Sequence, residues 1–203
     1  MPPTTIATIV YSSAFIPLLT LILLSVFNKL PKWIWWVYGL TFLVCALGWE
    51  IWFTYGLVDG QSVNIRRPAE LNALIPQNIN WLVNSLADAG IGVNGLLYVW
   101  LFAKNKTTIL DRFRWKELLI LATFFLLQNL IVELYIYQAQ LAAGYQLSWA
   151  PLAPTGPWWN PVLFHIGGKS VHLHTQLPWL IMTPFFYWYA RKLKKLNIMK
   201  YEV

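Results

Sequence analysis

The sequence predicts an all-α integral membrane protein: a bundle of about five transmembrane helices, with an ordered outer loop between the fourth and fifth. Three observations carry that expectation. The chain has 203 residues, of which 58% are hydrophobic and only 11% charged, against about 25% charged in a soluble domain. Five stretches approach the roughly 20 apolar residues that a spanning helix needs. The basic residues gather beside those stretches, as membrane anchoring requires. The length fits one domain over residues 1–203.

The first span is expected from Thr5 to Phe27, the second from Trp33 to Leu57 and the third from Ile79 to Ala103. The fourth runs from Trp115 to Tyr137 and the fifth from Leu177 to Leu193. Asn28 and Pro31 break the chain between the first two. Asp59, Gly60, Arg66, Arg67 and Pro68 do so between the second and third, and Lys104, Asn105 and Lys106 end the third. The loop from Asn28 to Lys32, the loop from Lys104 to Lys116 and the tail after Ala190 fall on one side and hold twelve of the 15 Lys and Arg residues. The positive-inside rule then puts the N-terminus outside and the C-terminus in the cytoplasm. The segment MPPTT has no basic residue ahead of the first apolar run, which argues against a cleaved signal peptide.

The outer loop, about residues 138–176, contains Pro151, Pro154, Pro157 and Pro161 among Trp149, Trp158 and Trp159. Proline removes amide donors, so no long helix is expected there. The tryptophans favour an ordered cap on the membrane face, with a short helix around Pro161 to Ile166. The net charge of +7 does not imply nucleic acid, because the basic residues flank apolar segments. Cys45 is the single cysteine, so no internal disulfide forms.

Three carboxylates lie inside apolar stretches: Glu50, Asp88 and Glu133. A charged group at the bilayer centre costs about 3 kcal/mol on insertion scales. With a helical rise of 1.5 Å per residue, the three lie roughly 10, 14 and 6 Å below the outer surface. Asn84 and Asp88 share one face of the third span, and Glu133 and Tyr137 share one face of the fourth. No Lys or Arg lies at these depths; the nearest are Arg66, Arg67 and Lys169 in loops. The outer half is therefore expected to be wet or ligand-filled.

His165, His172 and His174 fall within ten residues of the outer loop. In an extended strand His172 and His174 would point to one face, and a third His could complete a metal site. Structural hydrogen bonding and substrate contact are equally compatible with that spacing. Gly167 and Gly168 allow a sharp turn beside them.

At the second span the chain reads Gly48-Trp49-Glu50-Ile51-Trp52-Phe53-Thr54-Tyr55-Gly56-Leu57. This resembles the Trp-Glu segment of the small integral-membrane terpene cyclases of fungal meroterpenoid and indole-diterpene pathways. Trp81 at the head of the next span, with Asp88 inside it, is similar to theirs. So is the ending Trp188-Tyr189-Ala190-Arg191-Lys192. The resemblance covers about a third of the chain. It implies that Glu50 is the acid that opens an epoxide or protonates an alkene. That family has seven spans rather than five, and a second acid in its last span where this chain has none. If the chemistry carries over, Asp88 or Glu133 replaces it.

Three functions are then in play. The first is a membrane enzyme that cyclises or isomerises a lipid-soluble, isoprenoid-like substrate by carboxylate acid catalysis, without a cofactor. Burial raises a carboxyl pKa and keeps its proton available, and aromatic faces stabilise a carbocation. Glu50, Asp88 and Glu133 would be catalytic, with Trp49, Trp52, Tyr55, Trp81, Asn84 and Tyr137 binding substrate. The second is a metal-dependent membrane oxidoreductase using the three histidines. The third is a non-enzymatic lipid- or pigment-binding or assembly subunit with membrane-protein partners.

Overall fold

Prolines open four of the helices in the computed structural model, which describes residues 1–56, 61–143 and 161–199. Pro2, Pro31, Pro68 and Pro76 stand immediately before α1 (Pro3–Val26), α2 (Lys32–Tyr55), α4 (Ala69–Leu74) and α5 (Gln77–Phe102). A missing amide hydrogen costs nothing there, and the fixed φ suits a helix start. The short α3 (Val63–Arg66) precedes α4. Left-handed residues stop two of the long helices: Asn28 (φ 54°) follows α1 and Gly56 (φ 68°) follows α2. The chain continues through α6 (Trp115–Gln140), strands β1 (Val162–Ile166) and β2 (Lys169–His172), and α7 (Leu173–Met199).

Four helices, α1, α2, α5 and α6, are long and apolar enough to cross a membrane. Their bounds agree with the expected spans to within a few residues; Leu57, the expected end of the second, lies outside the described residues. The last helix, α7, is as long, but its final turns carry Arg191, Lys192, Lys194 and Lys195. It starts four residues before the expected Leu177.

The central element is α5, which packs against α1, α2 and α6. Small residues permit these approaches. A Cβ on Gly95 would lie 2.7 Å from Phe125 of α6, and one on Gly90 would lie 2.7 Å from Pro17 of α1. The main core joins Val37, Cys45, Phe53, Ala89, Leu121, Phe125 and Phe186. A smaller core forms where the first half of α1 meets α4 and α5, around Ile6, Val10, Leu71 and Val83.

The bundle has chemically distinct ends. At one, the α1–α2 turn, the α5–α6 loop and the end of α7 bring the basic residues together. Lys194 bonds the carbonyls of Thr107 and Ile109 and pairs with Asp111 at 2.6 Å. Leu110 there has φ 63° and is held by Glu117, whose carboxylate accepts its amide hydrogen at 3.2 Å. At the opposite end α3 and α4 fold over the mouth of the bundle. Arg67 fastens them, donating to Asn72 at 3.0 Å, Asn80 at 2.7 Å and the Ile75 carbonyl at 2.8 Å. Asn80 in turn reaches Thr54 of α2.

The helix expected around Pro161 to Ile166 is instead a strand. β1 pairs antiparallel with β2, with Phe164 opposite Val171, His165 opposite Ser170 and Ile166 opposite Lys169. The run Val-Leu-Phe-His-Ile is rich in strand-forming side chains. Gly167 (φ 55°) and Gly168 (φ 77°) supply the tight turn that a two-residue hairpin needs. Among the described residues the fold is thus mostly helical, with this one hairpin added to the expected helices. The expected cap around Trp149, Trp158 and Trp159 lies outside the described residues.

Candidate functional site

Among the described residues two π-helical turns interrupt the long helices, and each carries one of the carboxylates expected inside a span. Ala46–Glu50 is the π turn of α2, and Glu133–Tyr137 is that of α6. Such turns widen a helix by one residue and release a carbonyl from the regular ladder; they recur at functional sites. In α2 the indole of Trp81 donates to the carbonyl of Ala46 at 2.9 Å, satisfying the first residue of the turn. In α6 the carbonyl of Leu134 accepts from the Lys169 ammonium at 2.6 Å.

The turn in α2 delivers Glu50 and Trp49 to the interior side by side. Both are buried. Glu50 faces a cavity of about 80 Å3 that it shares with Asp88, Asn84, Tyr137 and Gln140. The opposite wall comes from α1, through Ile9, Val10 and Ser13. Asn84 sets its amide in the same cavity wall as the Glu50 carboxyl group. The second carboxyl oxygen, Oε2, is buried and has no hydrogen-bond partner among the described residues. Leaving such an atom unmet costs about 1–3 kcal/mol. Asp88 is held differently: its Oδ2 accepts the indole N–H of Trp49 at 2.7 Å.

Two further buried polar atoms near this cavity are unmet among the described residues, Oε1 of Gln140 and Nη1 of Arg66. Arg66 comes from α3 yet is only 1% exposed. Its other terminal nitrogen bonds the Phe53 carbonyl, and its guanidinium lies 4.0 Å above the Phe53 ring. Burial and the adjacent Arg67 pull Arg66 down to about 10, with Glu50 and Tyr137 acting in the opposite sense. It keeps its charge at neutral pH, within electrostatic range of Glu50. The sequence places Arg66 in a loop; folding turns it inward. The Arg66-Arg67-Pro68 run was the available signal, and nothing in it distinguishes an inward arginine from a headgroup contact. The contributions of α1 and Gln140 carry no sequence signal of that kind.

Of the expected site residues, Glu50, Asp88, Asn84 and Tyr137 line one cavity. Trp49 borders it through its bond to Asp88. Trp81 supports the π turn from behind, and Tyr55 bonds Asn78 at 3.0 Å. Neither Trp52 nor Tyr55 is in the cavity wall. Glu133 is not in it either. Its Oε1 accepts the His172 amide hydrogen at 2.9 Å and lies 3.2 Å from that ring's Nδ1, and its Oε2 accepts from Gln176 at 2.7 Å. With Asn129 bonded to the Thr175 carbonyl and Gln138 to that of Ser170, Glu133 latches the hairpin and α7 onto α6.

The histidines do not share one strand face. His165 is in β1, His172 ends β2 and His174 is already in α7, because the chain switches from strand to helix at Leu173. Among the described residues no three His, Cys, Asp or Glu side chains cluster closely enough to hold a metal ion. Glu133→Ala is expected to free the hairpin, leaving the His172 amide and Gln176 without their buried acceptor. Limited proteolysis should then cut between residues 161 and 172 at least about tenfold faster, as for a loss near 1.4 kcal/mol. Unchanged protection would exclude the latch.

No family model matches this chain, and neither a curated protein nor a solved structure matches it.

Proposed function

We propose that the protein is a membrane-embedded acid catalyst that cyclises or isomerises a lipid-soluble, isoprenoid-like substrate. The observation that carries this reading is the Oε2 atom of Glu50, buried, without a hydrogen-bond partner among the described residues and facing a cavity shared with a second carboxylate. Both oxygens of Glu133 and Oδ2 of Asp88 are by contrast committed to holding structure. An oxygen left open in a costly position is suited to a proton that must leave and return.

In its protonated form Glu50 gives the Oε2 proton to an alkene carbon or an epoxide oxygen. An internal alkene attacks the resulting cation, a carbon–carbon bond closes, and loss of a proton from a neighbouring carbon ends the sequence. Asp88 takes that proton, and its return to Glu50 across the shared cavity resets the site. For an alkene or epoxide substrate the product has the substrate's mass. Tyr137 presents an aromatic face to the cation, worth about 0.5–2 kcal/mol when well placed.

A cavity of about 80 Å3 is far smaller than such a substrate. A second, almost wholly apolar groove of about 210 Å3 lies on the other side of Trp49, between α2 and α7, lined by Val44, Gly48, Pro178, Ile181, Met182 and Phe185. Trp49 is the partition: its ring lines the groove while its N–H is tied to Asp88. Substrate arrives from the lipid through this groove and displaces the indole. Trp49 is thus a positioning residue. Trp49→Phe is expected to lower kcat about tenfold, the loss of one hydrogen bond to a charged acceptor, and to change the ratio of products. An unchanged kcat with an unchanged product ratio would remove Trp49 from this role.

In this reading α7 is the fifth span. The basic end faces the cytoplasm and the N-terminus lies outside, on the distribution of Lys and Arg. The test is lipid mass spectrometry of cells expressing the protein and supplied with polyprenyl and sterol-like precursors. A product of unchanged mass and new retention time supports the proposal; a gain of oxygen or loss of hydrogen would point to redox chemistry instead.

A further inference from the structure

A groove of about 670 Å3 lies at the basic end of the bundle, remote from the carboxylate cavity. Its floor is the second half of α5, and its sides are α1 and the start of α2. Leu21, Leu24, Ile34 and Leu97 make it apolar along its length. The volume falls within the roughly 300–1,000 Å3 of small-molecule sites. The contact of Pro17 with Gly90 closes α1 onto α5 at its inner limit, so the groove does not run on toward Glu50. From Pro17 to Val26, the end of α1, is about 14 Å at 1.5 Å per residue. One leaflet of a hydrocarbon core about 30 Å thick is of that depth.

The rim is cationic. Lys29, Lys106 and Lys194 all line it, and no carboxylate does. Their donors are not equally available. Lys194 has spent its three on Thr107, Ile109 and Asp111. Lys106 gives two to the carbonyls of Trp100 and Leu101, at the end of α5, and keeps one. Lys29 is exposed, and its ammonium has no partner among the described residues. Two lysines with donors to spare therefore stand where an apolar groove of leaflet depth reaches the membrane surface.

We infer that this groove binds an anionic phospholipid, with one acyl chain between α1 and α2 and its phosphate on Lys29 and Lys106. Charge complementarity selects that occupant over a neutral lipid, since a zwitterionic headgroup brings its own cation to the lysines. The inference is independent of the proposed chemistry, because the groove is closed off from Glu50.

The test is native mass spectrometry of the full chain released from mixed micelles of phosphatidylglycerol and phosphatidylcholine with matched acyl chains. The wild type is expected to retain phosphatidylglycerol in preference. Lys29→Gln with Lys106→Gln lowers that preference roughly tenfold. Leu97→Trp, which fills the groove, lowers retention of the lipid without touching a charge. Lys192→Gln with Lys195→Gln removes as many charges from exposed positions outside the groove and leaves the preference in place. Lys29→Gln alone breaks no side-chain hydrogen bond or ion pair among the described residues, so it reports even if a double variant misfolds. Three results would overturn the inference: no preference in the wild type, equal loss in the Lys192/Lys195 control, or full retention in Leu97→Trp. Displacement of the lipid by inorganic phosphate would likewise overturn it, in favour of a phosphate site.

Discussion

Glu50→Gln is expected to abolish turnover while leaving the protein folded. Glutamine has almost the shape of glutamic acid and keeps a polar group toward Asn84 in the shared cavity. Its amide cannot deliver a proton to carbon or to an epoxide oxygen. General acid catalysis contributes about 10²–10⁴-fold, and Asp88, the proton acceptor bonded to Trp49, does not replace the donor. Product should therefore fall by at least about a hundredfold. Thermal unfolding should shift only slightly, because the atom replaced has no hydrogen-bond partner among the described residues to lose. Asp88→Asn separates the two roles. It keeps an acceptor for the Trp49 indole yet removes the base, so its product loss should come with the same stability. Full turnover in Glu50→Gln, with expression matched, would sink the acid assignment. Full turnover in Asp88→Asn would leave Glu50 without its partner.

Four long apolar helices were legible in the sequence because they rest on composition. Apolar runs of about 20 residues have one stable solution in lipid, and prolines at Pro31 and Pro76 mark where helices can start. The meeting of Glu50 with Asp88 was legible only as a matching depth. Depth does not fix rotation about the helix axis, and rotation decides which residues share a cavity. The π turn at Ala46–Glu50 resets that rotation by inserting a residue into the helix. No propensity pattern announces it, which is why Trp52 and Tyr55 were expected on the cavity wall and do not lie there. Glu133 shows the same limit from the other side. Its depth and its spacing to Tyr137 match those of a site residue, but its partners are His172 and Gln176, about forty positions later. The hairpin of β1 and β2 was legible only at its Gly167–Gly168 turn, because the short run Val162–Ile166 is too brief for periodicity to separate strand from helix.

The largest loss of stability is expected from Gly95→Leu. Gly95 sits where α5 meets α6, and even a methyl group would lie 2.7 Å from a ring carbon of Phe125 and 2.9 Å from Leu121. Both neighbours are fully buried, so neither can swing into open space. Phe125 is also enclosed by Trp179 at 4.9 Å and Phe186 at 5.2 Å between ring centroids. The helices must then separate, at a cost of about 3 kcal/mol or more. In a membrane that separation is not opposed by the hydrophobic effect, since lipid solvates the exposed faces; close packing is what holds the pair. Separation would also carry Val132, Ile136, Tyr137 and Gln140 of α6 away from the cavity they line with Glu50. Thermal unfolding in detergent should fall steeply for Gly95→Leu, and turnover should fall with it. Phe125→Leu makes room, so the pair Gly95→Ala and Phe125→Leu should be more stable than the sum of the single changes implies. Strict additivity would mean that α6 yields elsewhere, and that the contact at Gly95 does not set the distance between the two helices.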